Sequence, residues 1–169
     1  MKAIVYESNT GFTQKYAYML SEKTGLPAYL LENAKDELDK GDEVFFLGWI
    51  CSGKIRGYAK AAKLYSVEGV AAVGILSPDE TTIPQLKQNN RISDIPLFYL
   101  QGGVAPERLS TIKRRILEMT ARSLDKAVLK KEGDRKVINI IWNGGDFVRA
   151  ENLTEILAFI GEKLRIPQQ

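Results

Sequence analysis

The chain reads as an α/β protein built on an open, mostly parallel, five-stranded sheet with helices on both faces. Two observations predict this. Short apolar runs alternate with stretches of helical periodicity along the whole chain. The runs themselves are dominated by aliphatic and β-branched residues, with little polar alternation, as strands covered on both faces require. In such a sheet, ligands bind beyond the carboxyl ends of the strands, where the strand order reverses.

The elements follow in order. Lys2–Tyr6 is the first apolar run. Residues 11–24 switch to helical spacing through Phe12, Tyr16, Met19, Leu20 and Lys23, and Gly25 stops that helix. Ala28–Leu31 is a second strand, and the polar stretch Ala34–Lys40 is a short helix ending at Gly41. Glu43–Gly48 is the third strand and the most apolar. Residues 57–66 are helical, with Tyr58, Ala61, Ala62 and Tyr65 on one face. Val70–Leu76 is the fourth strand, after which Ser77-Pro78-Asp79-Glu80 opens a helix running to about Asn89. Ile95–Leu100 is the fifth, and Pro96 near its start places it at a sheet edge.

A long helical pattern runs from Pro106 to about Lys131. Residues 135–143 stay ambiguous, because Val137, Ile138, Ile141 and Trp142 have helical spacing within a β-branched run. Asn143-Gly144-Gly145 is a breaker. Residues 150–164 form a last amphipathic helix with the stripe Leu153, Ile156, Leu157, Ile160 and Leu164. The 169 residues make one domain, with a core over 1–131 and a C-terminal helical extension over 132–169.

Composition excludes several chemistries. There is no histidine, so no His-based triad, general base or metal ligand is available. Cys51 is the one cysteine, which removes internal disulfides and thiolate zinc or iron–sulfur sites. Redox chemistry here must be carried by an organic cofactor. The net charge of +3 is mild and no nucleic-acid motif is present, so no nucleic-acid partner is expected. The opening apolar run is too short for a signal peptide, and no stretch approaches the roughly 20 apolar residues of a spanning helix. A cytoplasmic protein is expected.

The turn after the first strand carries the clearest chemistry. Tyr6-Glu7-Ser8-Asn9-Thr10-Gly11-Phe12-Thr13 supplies three hydroxyls and one glycine at the start of a helix. A helix N-terminus leaves about four N–H groups without partners, and its dipole favours an anion. Ser8, Thr10 and Thr13 can each add a hydrogen bond, and Gly11 lets the backbone approach closely. No lysine or arginine lies inside the turn, which suits a monophosphate held by dipoles. The pattern is neither the triphosphate loop nor the three-glycine dinucleotide fingerprint. A plain helix cap needs only one such hydroxyl.

These residues, Tyr-x-Ser-x-Thr-Gly-x-Thr, resemble the FMN phosphate loop of flavodoxins, and the resemblance covers residues 1 to about 105. It implies a flavodoxin-like three-layer sandwich with strand order 2-1-3-4-5. It also implies that FMN is the cofactor and that Ser8, Asn9, Thr10, Gly11, Phe12 and Thr13 hold its phosphate. By the same resemblance, the loop after the third strand packs one face of the flavin. That loop holds Trp49, Ile50, Cys51, Ser52, Gly53 and Lys54. Trp49 either stacks on the isoalloxazine ring or packs in the core; strand alternation leaves both open. Gly53 permits a peptide flip beside flavin N5 that in flavodoxins stabilises the one-electron reduced state. Lys54 is either a cation near flavin N1 or a solvated side chain, and Cys51 is a small neutral contact to the ring. Ser77, Pro78 and Asp79 flank the other face, unless Ser77 and Asp79 cap the next helix.

The chain departs from a short flavodoxin after the fifth strand. Residues 106–131 carry Arg108, Lys113, Arg114, Arg115, Arg122, Lys126, Lys130 and Lys131 around a stripe of Leu109, Ile112, Ile116, Thr120, Leu124 and Val128. This is either a core-packing helix with a solvated basic face or a surface for an anionic membrane or acidic partner. Together with Phe98–Gly103 and Asn143–Val148, it resembles bacterial flavodoxin-domain proteins related to menaquinone-dependent protoporphyrinogen oxidase, without carrying over porphyrinogen oxidation. Phe147 and Val148 would pack the last helix onto the sheet. The expected function is FMN-based electron transfer or flavin-dependent oxidoreduction, with a redox protein or a small-molecule acceptor as partner. The alternative is a flavodoxin-fold binding or regulatory module that no longer holds FMN.

Overall fold

In a computed structural model, which describes residues 1–109, 111, 115, 119 and 143–165, the apolar runs pair as parallel strands. They are β1 (Ala3–Glu7), β2 (Ala28–Leu30), β3 (Glu43–Cys51), β5 (Ser66–Gly74) and β6 (Leu97–Gln101), in the order β2-β1-β3-β5-β6. The sheet has six strands where five were expected. The sixth, β4 (Lys54–Ile55), turns back antiparallel onto the end of β3. It forms because β3 continues three residues past Gly48 and then meets Ser52 and Gly53, both at positive φ (49° and 72°). Two such residues make the tight turn whose twist matches a hairpin. A second, two-stranded sheet pairs β7 (Gly103–Val104) with β8 (Gly145–Asp146).

The helices differ from expectation mainly at their starts. Helix α1 (Phe12–Thr24) ends at Gly25 in the left-handed region, as its sequence indicates. The polar stretch after β2 makes only a single 3-10 turn, Ala34–Asp36. Helix α2 spans Tyr58–Leu64, and α3 spans Thr82–Asn90, so Ser77–Thr81 are loop, not helix. Strand β5 starts four residues early, at Ser66, and releases Ile75 and Leu76 to the loop. Strand β6 lies at the sheet edge, as Pro96 suggested.

Two apolar layers result. On one face, Tyr16 and Leu20 of α1 pack with Leu153, Ile156 and Ile160 against Ile4, Phe45, Leu47, Val73 and Leu100. On the other, Ala61 of α2 and Leu86 of α3 cover Val5, Phe46, Val70 and Ala72. The last helix, α4 (Thr154–Arg165), shares the first of these layers with α1 through its apolar stripe. Leu164, at the end of that stripe, is exposed.

In the stretch expected to be a long basic helix, Pro106–Arg108 form a 3-10 turn, while Thr111, Arg115 and Met119 are helical and exposed. Leu109, expected to begin the apolar stripe, is extended; the rest of that stripe and most of the basic face lie outside the described residues, as does the ambiguous run before Asn143. Among the described residues, no helix is long and apolar enough to cross a membrane.

Candidate functional site

Strands β1, β3 and β5 are neighbours and run the same way, with Glu7 beside Gly48 and Trp49 beside Val73. Their carboxyl ends therefore open on one edge. The loops that follow them, from Ser8, from Ser52 and from Ile75, gather there. Strand order reverses at β1, which is where an open sheet leaves a crevice.

The first loop meets the start of α1, a 13-residue helix whose N-cap is Gly11 at φ 96°. A side chain would strain that backbone, so glycine is required for the chain to enter the helix this way. The Ser8 hydroxyl accepts hydrogen bonds from the Gly11 N–H at 3.2 Å and the Gln14 N–H at 3.4 Å. An oxygen thus already sits where the helix presents its amides, as an anion's oxygen would. Thr13 is the one buried polar residue among those described, at 2 % exposure. No hydrogen bond from a described residue reaches its hydroxyl, yet no fully sealed side-chain oxygen among the described residues lacks a partner.

Phe12 departs from its expected role. Its ring is buried against the turn after β6, where a side chain on Gly103 would come within 2.6 Å of it. Only its backbone belongs to the Ser8–Thr13 turn. Asn9 is half-exposed, and the Thr10 carbonyl accepts from Arg108 at 3.4 Å. Lys15 forms an ion pair with Asp146 across the mouth of α1. Burial would raise the Asp146 carboxyl, but Lys15 and the Val148 N–H outweigh it and hold it below the usual carboxylate range. Below the loop, the phenol of Tyr6 is pushed up to about 12 by burial and by its contact with the Tyr18 hydroxyl.

The flavin-side residues form a closed hairpin. Ile50 pairs with Ile55 and Cys51 with Lys54. The Gly53 carbonyl accepts from the Asn90 side chain at 3.1 Å, and Asn90 Oδ1 accepts the Ile55 N–H at 2.8 Å. Lys54 is exposed and donates to the Asn89 carbonyl near the end of α3. Ser52 and Cys51 are exposed, and Cys51 is a free thiol. Trp49 is half-buried and carries the Arg56 guanidinium 6.0 Å from its ring centroid. Alternation from Phe45 and Leu47 puts it on the α1 side of β3.

In the third loop, Asp79 is bonded to the start of α3. Its Oδ1 accepts from the Thr81 and Thr82 hydroxyls, each at 2.8 Å, and from the Thr81 N–H at 3.0 Å. These bonds hold its carboxyl below the usual range. Ser77 and Pro78 are exposed beside it. The loop's base is pinned from β6: Tyr99 donates to the Leu76 carbonyl at 2.6 Å and Gln101 to the Ile75 carbonyl at 3.1 Å. Burial pushes the Tyr99 phenol up to about 12.

Several residues of the site's frame were not singled out from sequence. Arg108 looked like one charge of a basic helix. Asn89 looked like a helix end, Tyr99 like a strand residue and Gln101 like the start of a tight turn. Beside the Ser8–Thr13 turn lies a cavity of about 370 Å³ lined by Phe12, Lys15, Val104, Ala105, Glu107, Arg108 and residues 143–146. Tyr16 and Asn152 tie α1 and the turn before α4 to the end of β6: Tyr16 donates to the Gln101 carbonyl at 2.6 Å and Asn152 to the Tyr16 hydroxyl at 2.7 Å. Phe147 N–H donates to the Gly102 carbonyl and Val148 packs on the core. Among the described residues, no group of three acidic or thiol side chains could hold a metal ion. No known family model matches the chain, and no curated protein is detectably similar to it.

Proposed function

We propose that this flavodoxin-like protein binds FMN non-covalently at the shared carboxyl edge of β1, β3 and β5. There it serves electron transfer or a flavin-dependent oxidoreduction. The observation that carries the reading is the turn after β1. Gly11 and the start of α1 form an amide cradle, and the covered Thr13 has a hydroxyl that no described residue engages. A phosphomonoester would accept from the amides and the Thr13 hydroxyl together. Thr10 and Asn9 stand at the rim, with the Trp49 hairpin and the loop at Ser77–Asp79 beside the ring. When bound, the flavin supplies one- or two-electron chemistry. The chain's own residues orient it, exclude water from one face and leave an edge open to a redox protein or small acceptor.

Reconstitution of flavin-free protein with FMN, riboflavin and FAD tests this. FMN is expected to bind more tightly than riboflavin, which lacks the phosphate. Equal affinities, or no binding of any flavin, would overturn the reading. One observation favours the second reading, a flavodoxin-fold binding module. The Ser8 hydroxyl already fills the amide pair, and the 51–54 hairpin is tied shut to Asn90. Purified protein without flavin colour, and deaf to added FMN, would favour the module.

A further inference from the structure

Arg108 reaches the phosphate loop from the other end of the sequence. The β7–β8 pair anchors the segment before it, Val104 and Ala105 are buried, and Pro106–Arg108 turn once as a 3-10 helix. This carries the guanidinium onto the loop: Nη1 donates to the Thr10 carbonyl at 3.4 Å and lies 3.5 Å from where a Cβ on Gly11 would stand. The two residues that lead into α1 thus have a cation against them. Its carboxylate neighbour, Glu107, stands 3.8 Å from Nε, with side-chain exposures of 60 % and 71 %. Such an exposed pair is worth little. Lys15, the other cation near the helix start, is engaged by Asp146. Arg108 also lines the 370 Å³ cavity, so its fork has room to turn toward the loop without displacing packed side chains.

We propose that Arg108 is a phosphate-binding residue, pairing its guanidinium with the phosphomonoester held by the Ser8–Thr13 turn. The site then selects a doubly charged phosphorylated ligand over the same molecule without its phosphate. The inference rests on the phosphate reading of that turn. The residue's planar, always-charged fork suits two phosphate oxygens at once. It adds from a distant segment the cation that the turn's own sequence lacks.

The test measures the affinity of flavin-free wild type, R108Q and R108K for FMN and for riboflavin, at low and high salt. Arg108 is exposed, so both variants are expected to fold. R108Q should weaken FMN by about tenfold or more and leave riboflavin unchanged. It should also flatten the salt dependence of FMN binding. R108K, keeping charge without the fork, should fall between. Equal weakening of both flavins would mean that Arg108 merely props the loop, and would overturn the proposal. So would a wild type that prefers FMN alongside an R108Q that prefers it equally; the phosphate reading would survive that result. A wild type indifferent to the phosphate would remove both.

Discussion

Replacing Thr13 by valine separates what the hydroxyl does for the fold from what it does for a ligand. The side chain is 2 % exposed, and its hydroxyl receives no hydrogen bond from a described residue. A buried polar group without a partner costs about 1–3 kcal/mol. Valine preserves the β-branched shape and has nearly the same helix propensity. Flavin-free T13V should therefore be as stable as wild type or more stable, by up to about 1 kcal/mol. In a domain of this size that is a rise in Tm of roughly 2–4 °C. FMN affinity should move the other way, by about tenfold, since a hydrogen bond to a charged acceptor contributes roughly 1.5–3 kcal/mol. Urea unfolding followed by far-UV circular dichroism reads the first effect, and quenching of flavin fluorescence reads the second. A loss of more than about 1 kcal/mol in the flavin-free protein would show the hydroxyl to be a structural bond, and unchanged FMN affinity would remove it from the site.

Two further outcomes follow from the packing and the charges. Ile160→Ala empties a fully buried position on α4 and should cost about 2–5 kcal/mol, whereas Leu164→Ala on the same helix, 44 % exposed, should stay within about 0.5 kcal/mol. Similar small losses for both would make α4 peripheral. Lys163 donates to Glu68 at 2.7 Å and holds that carboxyl below its usual range, against the opposing effect of burial. The stabilisation is therefore complete above the ordinary glutamate pKa of about 4.3 and disappears as pH falls through the lower folded value. Glu68→Gln should cost about 0.5–1 kcal/mol at neutral pH, given the partial exposure of both partners, and the gap to wild type should close in acid. A gap that persists unchanged at pH 3 would show that the ion pair is not its source.

Much of the frame was legible because it is written locally. Apolar runs of four to seven residues, helical spacing from Phe12 to Leu20 and the stop at Gly25 are properties of neighbouring residues, so the parallel sheet and α1 could be read directly. The candidate phosphate turn was legible for the same reason: strand, hydroxyls, glycine and helix start lie within eight residues. Strands β7 and β8 were not, since two residues carry no periodicity. The hairpin at Ser52–Gly53 was missed because its signal, a Ser-Gly pair at positive φ, was absorbed into the flavin loop.

What sequence alone determined is therefore the class of fold, the edge at which a ligand would meet it, and the hydroxyl-rich turn at that edge. Tertiary structure decided which helix completes the core, and it turned Phe12 away from the loop toward Gly103. It tied Lys54 to Asn89, and it brought Arg108 to Thr10 across 98 positions of chain. The physical reason is one of range. Backbone propensity and side-chain periodicity act over a turn or two. The partner of a charged or aromatic side chain is chosen only when distant segments compete for the same buried surface.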